Sequence, residues 1–366
     1  MELKFGERTV GAASPVYFIA DIAANHDGDL NRAKALVRLA KEAGADAAKF
    51  QNFKAEKIVS DYGFRNMGGR QSHQASWRKS VFETYRDVSV PDAWSSELLE
   101  ECDKVGILYC SAAYDFEAID YLDRYIPIYK IGSGDIDWLE ALERVAKKGK
   151  PVLLATGAST LEDVTRAVET ITAINSRLVL MQCNTNYTAS LENFDHIHLN
   201  VLKDYARRWP DLILGLSDHT PGHATVLGAV ALGARVIEKH FTDDNTREGP
   251  DHKFAMNPRT WEEMVVNTRR LERALGSEIK RVNPNESETR VIQRRCVRAA
   301  RDLSAGETIT REMLDVLRPA IPGAVKPNEI EALIGLKLKT DLPFGKEIRY
   351  SDLTGGPCAA PTEPGA

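Results

Sequence analysis

The sequence has no CxxC pair, no long apolar run, no excess of basic residues and few aromatics, and most of these absences remove a class of function. Five cysteines, Cys102, Cys110, Cys183, Cys296 and Cys358, are scattered over 366 residues. An odd number without CxxC spacing argues against a disulfide framework and for reduced thiols in the cytoplasm. A net charge of −5 advertises no polyanion-binding surface, so nucleic acid is not an expected partner. The first eight residues are charged and lack the apolar stretch of a secretory signal, and no run approaches membrane-spanning length. No membrane partner is therefore expected. No G-x-G-x-x-G opens the chain, which weighs against a dinucleotide fold. A local basic pocket for a small anionic substrate survives all these exclusions.

What is present is a repeating pattern. Short apolar, β-branched runs occur at residues 16–23, 46–51, 107–111, 128–132, 152–156, 178–183, 212–217 and 235–240. Amphipathic stretches such as 30–43, 94–105, 161–174 and 220–232 lie between them. Continuous apolar strands imply burial on both faces, as in a parallel sheet. Eight such units predict an α/β fold, a (β/α)8 TIM barrel over residues 1–282. A polar linker, 283–293, leads to a small domain of short strands and turns at 294–354, and the Gly-, Pro- and Ala-rich tail 355–366 reads as disordered. The connection 52–91 is long for a barrel loop and carries Arg65, Gly69, Arg70, His73 and Arg78. A lid or binding loop and a plain surface excursion fit it equally well.

Barrel active sites lie at the carboxyl ends of the strands, which converts the strand count into residues. The ends carry Asp21, then Lys49 and Gln51, Ser111, Lys130 with Ser133 and Asp135, Asn184 and Tyr187, Ser217 with His219, and His240. His219 and His240 end neighbouring strands, which lie roughly 5 Å apart, so both imidazoles can reach one divalent ion. Manganese suits such a set first, with magnesium or cobalt as alternatives. Lys49 and Lys130 lie within strands, where a buried ammonium needs an anion. A substrate phosphate or carboxylate, a Schiff-base role and a structural pair with Asp21 all remain open. Lys239 points away from His240 by alternation and reads as structural.

The segments around Asn25-His26-Asp27-Gly28, Lys49-Phe50-Gln51, Lys130-Ile131-Gly132-Ser133-Gly134, Ser217-Asp218-His219-Thr220, Glu238-Lys239-His240-Phe241 and Gly249-Pro250-Asp251-His252 resemble the sialic acid synthase family in order and spacing. The terminal domain resembles that family's antifreeze-like SAF domain, a β-clip. The resemblance implies condensation of phosphoenolpyruvate with an amino-sugar aldehyde, with His219 and His240 holding the metal. It implies that Lys49, Lys130 and Ser133 hold phosphoenolpyruvate, and that Gln51, Asp135, Tyr187 and Asp251 face the sugar. It also implies a homodimer in which the SAF domain of one chain covers the other's barrel, with Arg318, before Pro319, on the N-acyl group.

Some positions depart from the family pattern. Asp21 and Asp135 stand where Glu is common, Ala112-Ala113 replaces Thr-Pro, and Asn184-Thr185-Asn186-Tyr187-Thr188 is atypical. Each Asp-for-Glu exchange withdraws a carboxylate by roughly 1.5 Å. Both histidines and both lysines are retained, so the departures bear on the acceptor rather than on the reaction, and an acceptor other than plain N-acetylmannosamine is expected. Two rival readings are a phosphorylated acceptor, bound by Arg65, Arg70 and Arg78, and a silent sugar-binding protein.

Overall fold

The computed structural model describes residues 1–68, 74 and 77–355. Gly69, Arg70 and His73, the tail 356–366 and Cys358 within it lie outside the described residues. The chain divides into two compact units, Met1–Gly276 and a second beginning at Ser277.

The first unit opens with an antiparallel hairpin, β1 (Glu2–Phe5) and β2 (Arg8–Gly11). Eight parallel strands follow and close on themselves: β3 (Tyr17–Asp21), β4 (Ala47–Asn52), β5 (Leu108–Ala113), β6 (Tyr129–Ile131), β7 (Val152–Ala155), β8 (Leu178–Cys183), β9 (Ile213–Asp218) and β10 (Val236–His240), with β10 pairing β3. The eight runs read from the sequence correspond to these strands. The hairpin is not anticipated, because only Leu3, Phe5 and Val10 turn inward and four-residue strands carry little pattern. These three side chains pack with Tyr17, Ile19, Ala47, Val179 and Val236 and fill the lower barrel. The alternate residues, Phe18, Leu154, Leu180, Leu216 and Ile237 among them, face the surrounding helices.

Helix boundaries follow local chemistry. In the helix Leu30–Glu42, the Asp29 side chain accepts from the amides of Asn31 and Arg32. Ala33, Leu36, Val37 and Ala40 form its buried stripe, and Gly44, at φ 95°, lets the chain turn away. The long connection 52–91 contains short helices at Ala55–Ile58, Asp61–Asn66 and Val81–Val88, the last started by a reciprocal Ser80–Glu83 cap.

The second unit holds two small antiparallel pairs, β11 (Cys296–Ala299) with β12 (Leu314–Leu317) and β13 (Lys337–Leu338) with β14 (Leu353–Thr354). Its core is built on Val297, Ile309, Leu333, Leu338 and Ile348. Residues 283–293, expected to be a plain linker, instead contain a 3-10 turn, Pro284–Glu286, and a helix, Ser287–Gln293. The polar composition is accounted for because neither buries a residue. Among the described residues no helix is long and apolar enough to cross a membrane, and the four described cysteines are free and buried.

On the helix-facing side of the barrel, Lys239 forms a fully buried ion pair with Asp218 and donates to the Thr220 carbonyl at 2.6 Å. Asp218 also accepts from the hydroxyls of Thr220 and Thr225 at 2.9 and 2.8 Å. This tie fixes β9 to β10 and to the turn that starts the next helix. Removing one partner leaves a buried charge uncompensated, which costs about 3–5 kcal/mol. Lys239→Met is therefore expected to lower unfolding stability by that order in urea titrations.

Candidate active site

Strand register assembles the centre of the site. Asp21 is the Cα partner of both Lys49 and His240, so one carboxylate stands between an ammonium and an imidazole. Lys49 Nζ lies 2.6 Å from Asp21 Oδ2 and 3.8 Å from Glu238 Oε2. Lys130 Nζ lies 3.3 Å from Glu238 Oε1, which also accepts from the Ser217 hydroxyl at 3.0 Å. Gln51 donates to Asp21 at 3.2 Å. All four charged side chains are buried. Burial alone would raise the Glu238 carboxyl, but Lys130, Lys49 and Ser217 overrule it and hold it down at about 2. Burial likewise opposes the Lys49 charge, yet Asp21 and Glu238 push its pKa above the ordinary lysine value. The result is an anion-ready pair of ammonium groups, each fixed by a carboxylate. The Glu238 Oε2 atom has no hydrogen-bond partner.

Beside this quartet stand the two histidines, ring centroids 5.3 Å apart. Burial and then His240 hold His219 down at about 3, and burial holds His240 at about 4 against the pull of Asp251. Both rings are therefore neutral at physiological pH. His219 Nδ1 meets the Asn184 carbonyl at 2.8 Å, which places the proton on Nδ1 and leaves a lone pair on Nε2. His240 Nδ1 is buried without a hydrogen bond, 3.6 Å from Asp251 Oδ2, while Nε2 lies 3.6 Å from Asp21 Oδ2. Neutral imidazoles, one with its tautomer fixed and the other with an orphaned nitrogen, fit a metal ion. Among the described residues no group of three or more His, Cys, Asp or Glu side chains is arranged as a complete metal site, so such an ion would draw further ligands from substrate and water.

A cavity of about 400 Å³ reaches His240 and Gln51 of this cluster. Its lining includes Gln51, Ser133, Asp135, Tyr187, His240 and Asp251. Burial pushes the Asp135 carboxyl up to about 6, with Lys130 opposing. Ser133 Oγ accepts from the Gly157 amide at 2.8 Å. The long connection 52–91 also lines the cavity, with the apolar Phe53, Ile58, Trp77 and Tyr85 and the polar Gln74 and Thr84, so that segment is more than a plain excursion.

One residue from the predicted set does not join the barrel site. Ser111 belongs to the helix-facing side of β5, where its hydroxyl donates to Asn52 Oδ1 at 2.6 Å. Its neighbour Ala112, paired with Gln51, takes the inward place, so the substrate-binding role expected of Ser111 is not supported. Arg318 belongs to the second unit, exposed and ahead of a cis bond to Pro319. Asn184 contributes through its carbonyl, while its side chain donates to the His196 carbonyl at 3.2 Å. Glu238 was missed as a site residue, although the alternation that turns Lys239 outward turns Glu238 and His240 inward together. Phe254, 4.8 Å from His240 and 5.8 Å from His219 between ring centroids, carries no signal in the sequence.

A model of the NeuB family matches residues 36–280, and one of the SAF domain matches residues 294–354. The chain is 33% identical to human N-acetylneuraminate-9-phosphate synthase over 332 residues, 90% of each chain. It is also 33% identical to N,N'-diacetyllegionaminic acid synthase of Legionella pneumophila over 354 residues, 95% of this chain and 97% of that one. Among solved structures it is similar to the spore coat polysaccharide biosynthesis protein SpsE of Bacillus subtilis, at 30% identity and a TM-score of 0.64, covering 97% of this chain and 99% of that one.

Asp251 and Phe254 reach the histidines because a clamp centred on the buried His252 holds their loop. His252 is fully buried; its Nε2 meets Asp27 Oδ1 at 2.9 Å and its Nδ1 meets the Thr242 hydroxyl at 2.8 Å. Arg247 donates to Asp27 Oδ2 at 3.0 and 2.7 Å. Asp27 adopts φ 52°, a left-handed conformation that non-glycine residues rarely hold without such ties. A Cβ on Gly249 would stand 2.6 Å from the His252 ring, so only glycine fits there. Misplacement of a reacting group by about 1 Å costs on the order of 100-fold in rate. His252→Ala is expected to lower turnover by that order, and His252→Gln, which keeps a donor for Asp27, to lose less; steady-state kinetics with melting temperatures measured alongside separate this from unfolding.

Proposed function

The chain belongs to the NeuB family, and from that premise we propose that it joins phosphoenolpyruvate to the open-chain aldehyde of an N-acyl hexosamine, giving a nonulosonic 2-keto acid and phosphate. C3 of phosphoenolpyruvate bonds to the aldehyde carbon, water adds at C2, and phosphate leaves with cleavage of its C–O bond. The observation that carries this reading is the buried quartet Asp21, Lys49, Lys130 and Glu238 beside two neutral imidazoles.

Each residue has a role that its surroundings support. Lys49 and Lys130 receive the phosphate and carboxylate of phosphoenolpyruvate, helped by the Ser133 hydroxyl. Asp135, poised near 6, is suited to exchange a proton with the attacking water or the new alkoxide. Asp21 orients Lys49 and Gln51. Gln51, Tyr187 and Asp251 face the acceptor. A divalent ion, manganese first and magnesium or cobalt as alternatives, fits His219 and His240, and the chemistry it would supply is polarisation of the aldehyde oxygen. The same reading extends to a cytoplasmic homodimer in which Arg318 of one chain reaches the acceptor held by the other.

A phosphorylated acceptor held by Arg65 and Arg78, the two described arginines of that reading (Arg70 lies outside the described residues), finds less support. Arg65 is exposed and paired with Asp61, and Arg78 is exposed and paired with Glu248. Neither lines the cavity.

Metal-stripped protein given phosphoenolpyruvate, Mn²⁺ and a panel of free and phosphorylated N-acyl hexosamines is expected to release phosphate and 2-keto acid in equal amounts, and neither without metal. His219→Ala is expected to abolish both. Folded protein that binds Mn²⁺ yet forms no product with any acceptor would favour the non-catalytic reading. The double variant Arg65→Ala, Arg78→Ala is expected to keep its activity within about twofold, the usual range for surface changes.

A further inference from the structure

Beside the charged quartet, the rings of Tyr187, His219, His240 and Phe254 each lie against the other three, with centroids between 4.4 and 6.3 Å apart. The two imidazoles in this cluster are held differently. His219 is pinned by a hydrogen bond, its Nδ1 donating to the Asn184 carbonyl at 2.8 Å. His240 has no such pin. Its Nδ1 is buried without a hydrogen-bond partner among the described residues, and the carboxylates of Asp251 and Asp21 each stand 3.6 Å from one of its nitrogens, beyond hydrogen-bond range. A histidine's second torsion is broad and roughly two-fold, so an imidazole without a partner can swivel. Metal-binding imidazoles take their orientation from a hydrogen bond on the other nitrogen. For His240 the restraint is packing instead. Phe254 lies 4.8 Å from it at an interplanar angle of 65°, the edge-to-face arrangement in which aromatic rings attract.

Resting on the reading of His219 and His240 as metal ligands, we infer that Phe254 is a positioning residue for that centre: its ring, in place of a hydrogen bond, sets the plane of the His240 imidazole. Phe254 is buried and lies outside the cavity lining, so it acts through His240 and not on the substrate. Its own place is fixed against the same strand. The Met256 amide donates to the His240 carbonyl at 2.8 Å, and the Thr242 amide donates to the Met256 carbonyl at 2.9 Å, so the segment that carries Phe254 is laced to the end of β10. Asn245 ties down both sides of the ring, its side-chain amide donating to the carbonyls of His252 and Ala255 at 2.8 and 2.7 Å. The imidazole and the ring that faces it are thereby held in one frame. This arrangement also frees Asp251. That carboxylate accepts from the Ala24 amide at 3.2 Å and keeps its place in the cavity lining, whereas a carboxylate engaged with His240 Nδ1 would be less open to an acceptor.

The test titrates Mn²⁺ into the metal-stripped full chain without substrates, following free and bound ion by electron paramagnetic resonance, with melting temperatures of the metal-free proteins measured alongside. The unsubstituted protein is expected to bind the ion. Phe254→Leu keeps the site apolar and filled, a change that packed cores tolerate, but removes the flat ring. It is expected to weaken Mn²⁺ binding by about 10- to 100-fold, the range for losing an outer partner of a metal-binding imidazole. Phe254→Met, the second variant, is expected to do the same. Asp251→Asn is expected to weaken Mn²⁺ binding less than Phe254→Leu does. A folded Phe254→Leu or Phe254→Met protein that binds Mn²⁺ as the unsubstituted protein does, with only its melting temperature lowered, would overturn the positioning role and leave the metal centre standing. A greater loss in Asp251→Asn would do so too, and would give the orienting role to that carboxylate. Failure of the unsubstituted protein to bind Mn²⁺ would overturn the reading of the two histidines as ligands, and the role of Phe254 with it.

Discussion

Four charges sealed inside one end of the barrel set the terms for everything around them. Taking Lys49, Lys130, Asp21 and Glu238 out of water costs several kcal/mol per ion, a cost offset only by close pairing and added hydrogen bonds. The strand register supplies the pairing: β3 beside β4 sets Asp21 against Lys49, and β10 carries Glu238 toward Lys130. A slip of one residue on any of these strands would turn the charge outward into the helix layer. The fold must therefore be fixed elsewhere, and the lower barrel does so. Ile19 precedes Asp21 on the inward face, Ala47 precedes Lys49, and Val236 precedes Glu238. Each strand changes from apolar core to polar site within two residues. The hairpin of β1 and β2 closes the apolar end with Leu3, Phe5 and Val10, so stability and chemistry occupy opposite ends of one cylinder.

How much of this was legible in the sequence depends on whether a residue's place follows from periodicity. The eight strands were, because buried parallel strands leave continuous apolar runs. The outward turn of Lys239 was, because alternation decides it once His240 is placed inward. The same rule implied Glu238, yet its acidic charge drew no attention in a site read as anion-binding. Ser111 shows the opposite failure. It looked like a strand-end hydroxyl, but the end of β5 extends to Ala113, and Ser111 shares the face of Tyr109 rather than of Cys110. Short hairpin strands, capped helices inside a long connection and the ring contacts of Phe254 are tertiary facts with almost no local pattern. The ring contacts in the cavity lining are of this kind: Phe53, Tyr85 and Tyr114 become neighbours only after the connection folds back.

The loops divide the labour differently from the strands. Strand ends fix charged atoms through hydrogen-bonded register, which tolerates little change. The connection after β4 meets the cavity mostly with rings and aliphatic groups, whose contacts are broad and individually weak, together with Gln74 and Thr84. Such a surface can change its preferred partner by one side chain without disturbing the lysines or the histidines. That separation is consistent with relatives of equal similarity bearing names for different sugar acids.

A carboxylate inside a site proposed to bind an anion looks self-defeating, and the geometry gives the reason it is not. Without Asp21 and Glu238, two buried ammonium groups would repel each other and shed protons, since burial lowers a lysine's pKa. With them, Lys49 keeps its proton and is held in one position before any substrate arrives. The quartet as a whole is then close to neutral, so it does not attract every anion from solution. An incoming anion gains only if its oxygens fit between ammonium groups whose positions the carboxylates have already set. Selectivity comes from that fit rather than from net field, and preorganised charge of this sort loses little in reorganisation as the reaction proceeds. The unpartnered Glu238 Oε2 marks where the arrangement is left incomplete on its own. It lies 3.8 Å from Lys49, close enough to tether that ammonium and too far to satisfy it, so Lys49 retains the capacity to bind a second partner.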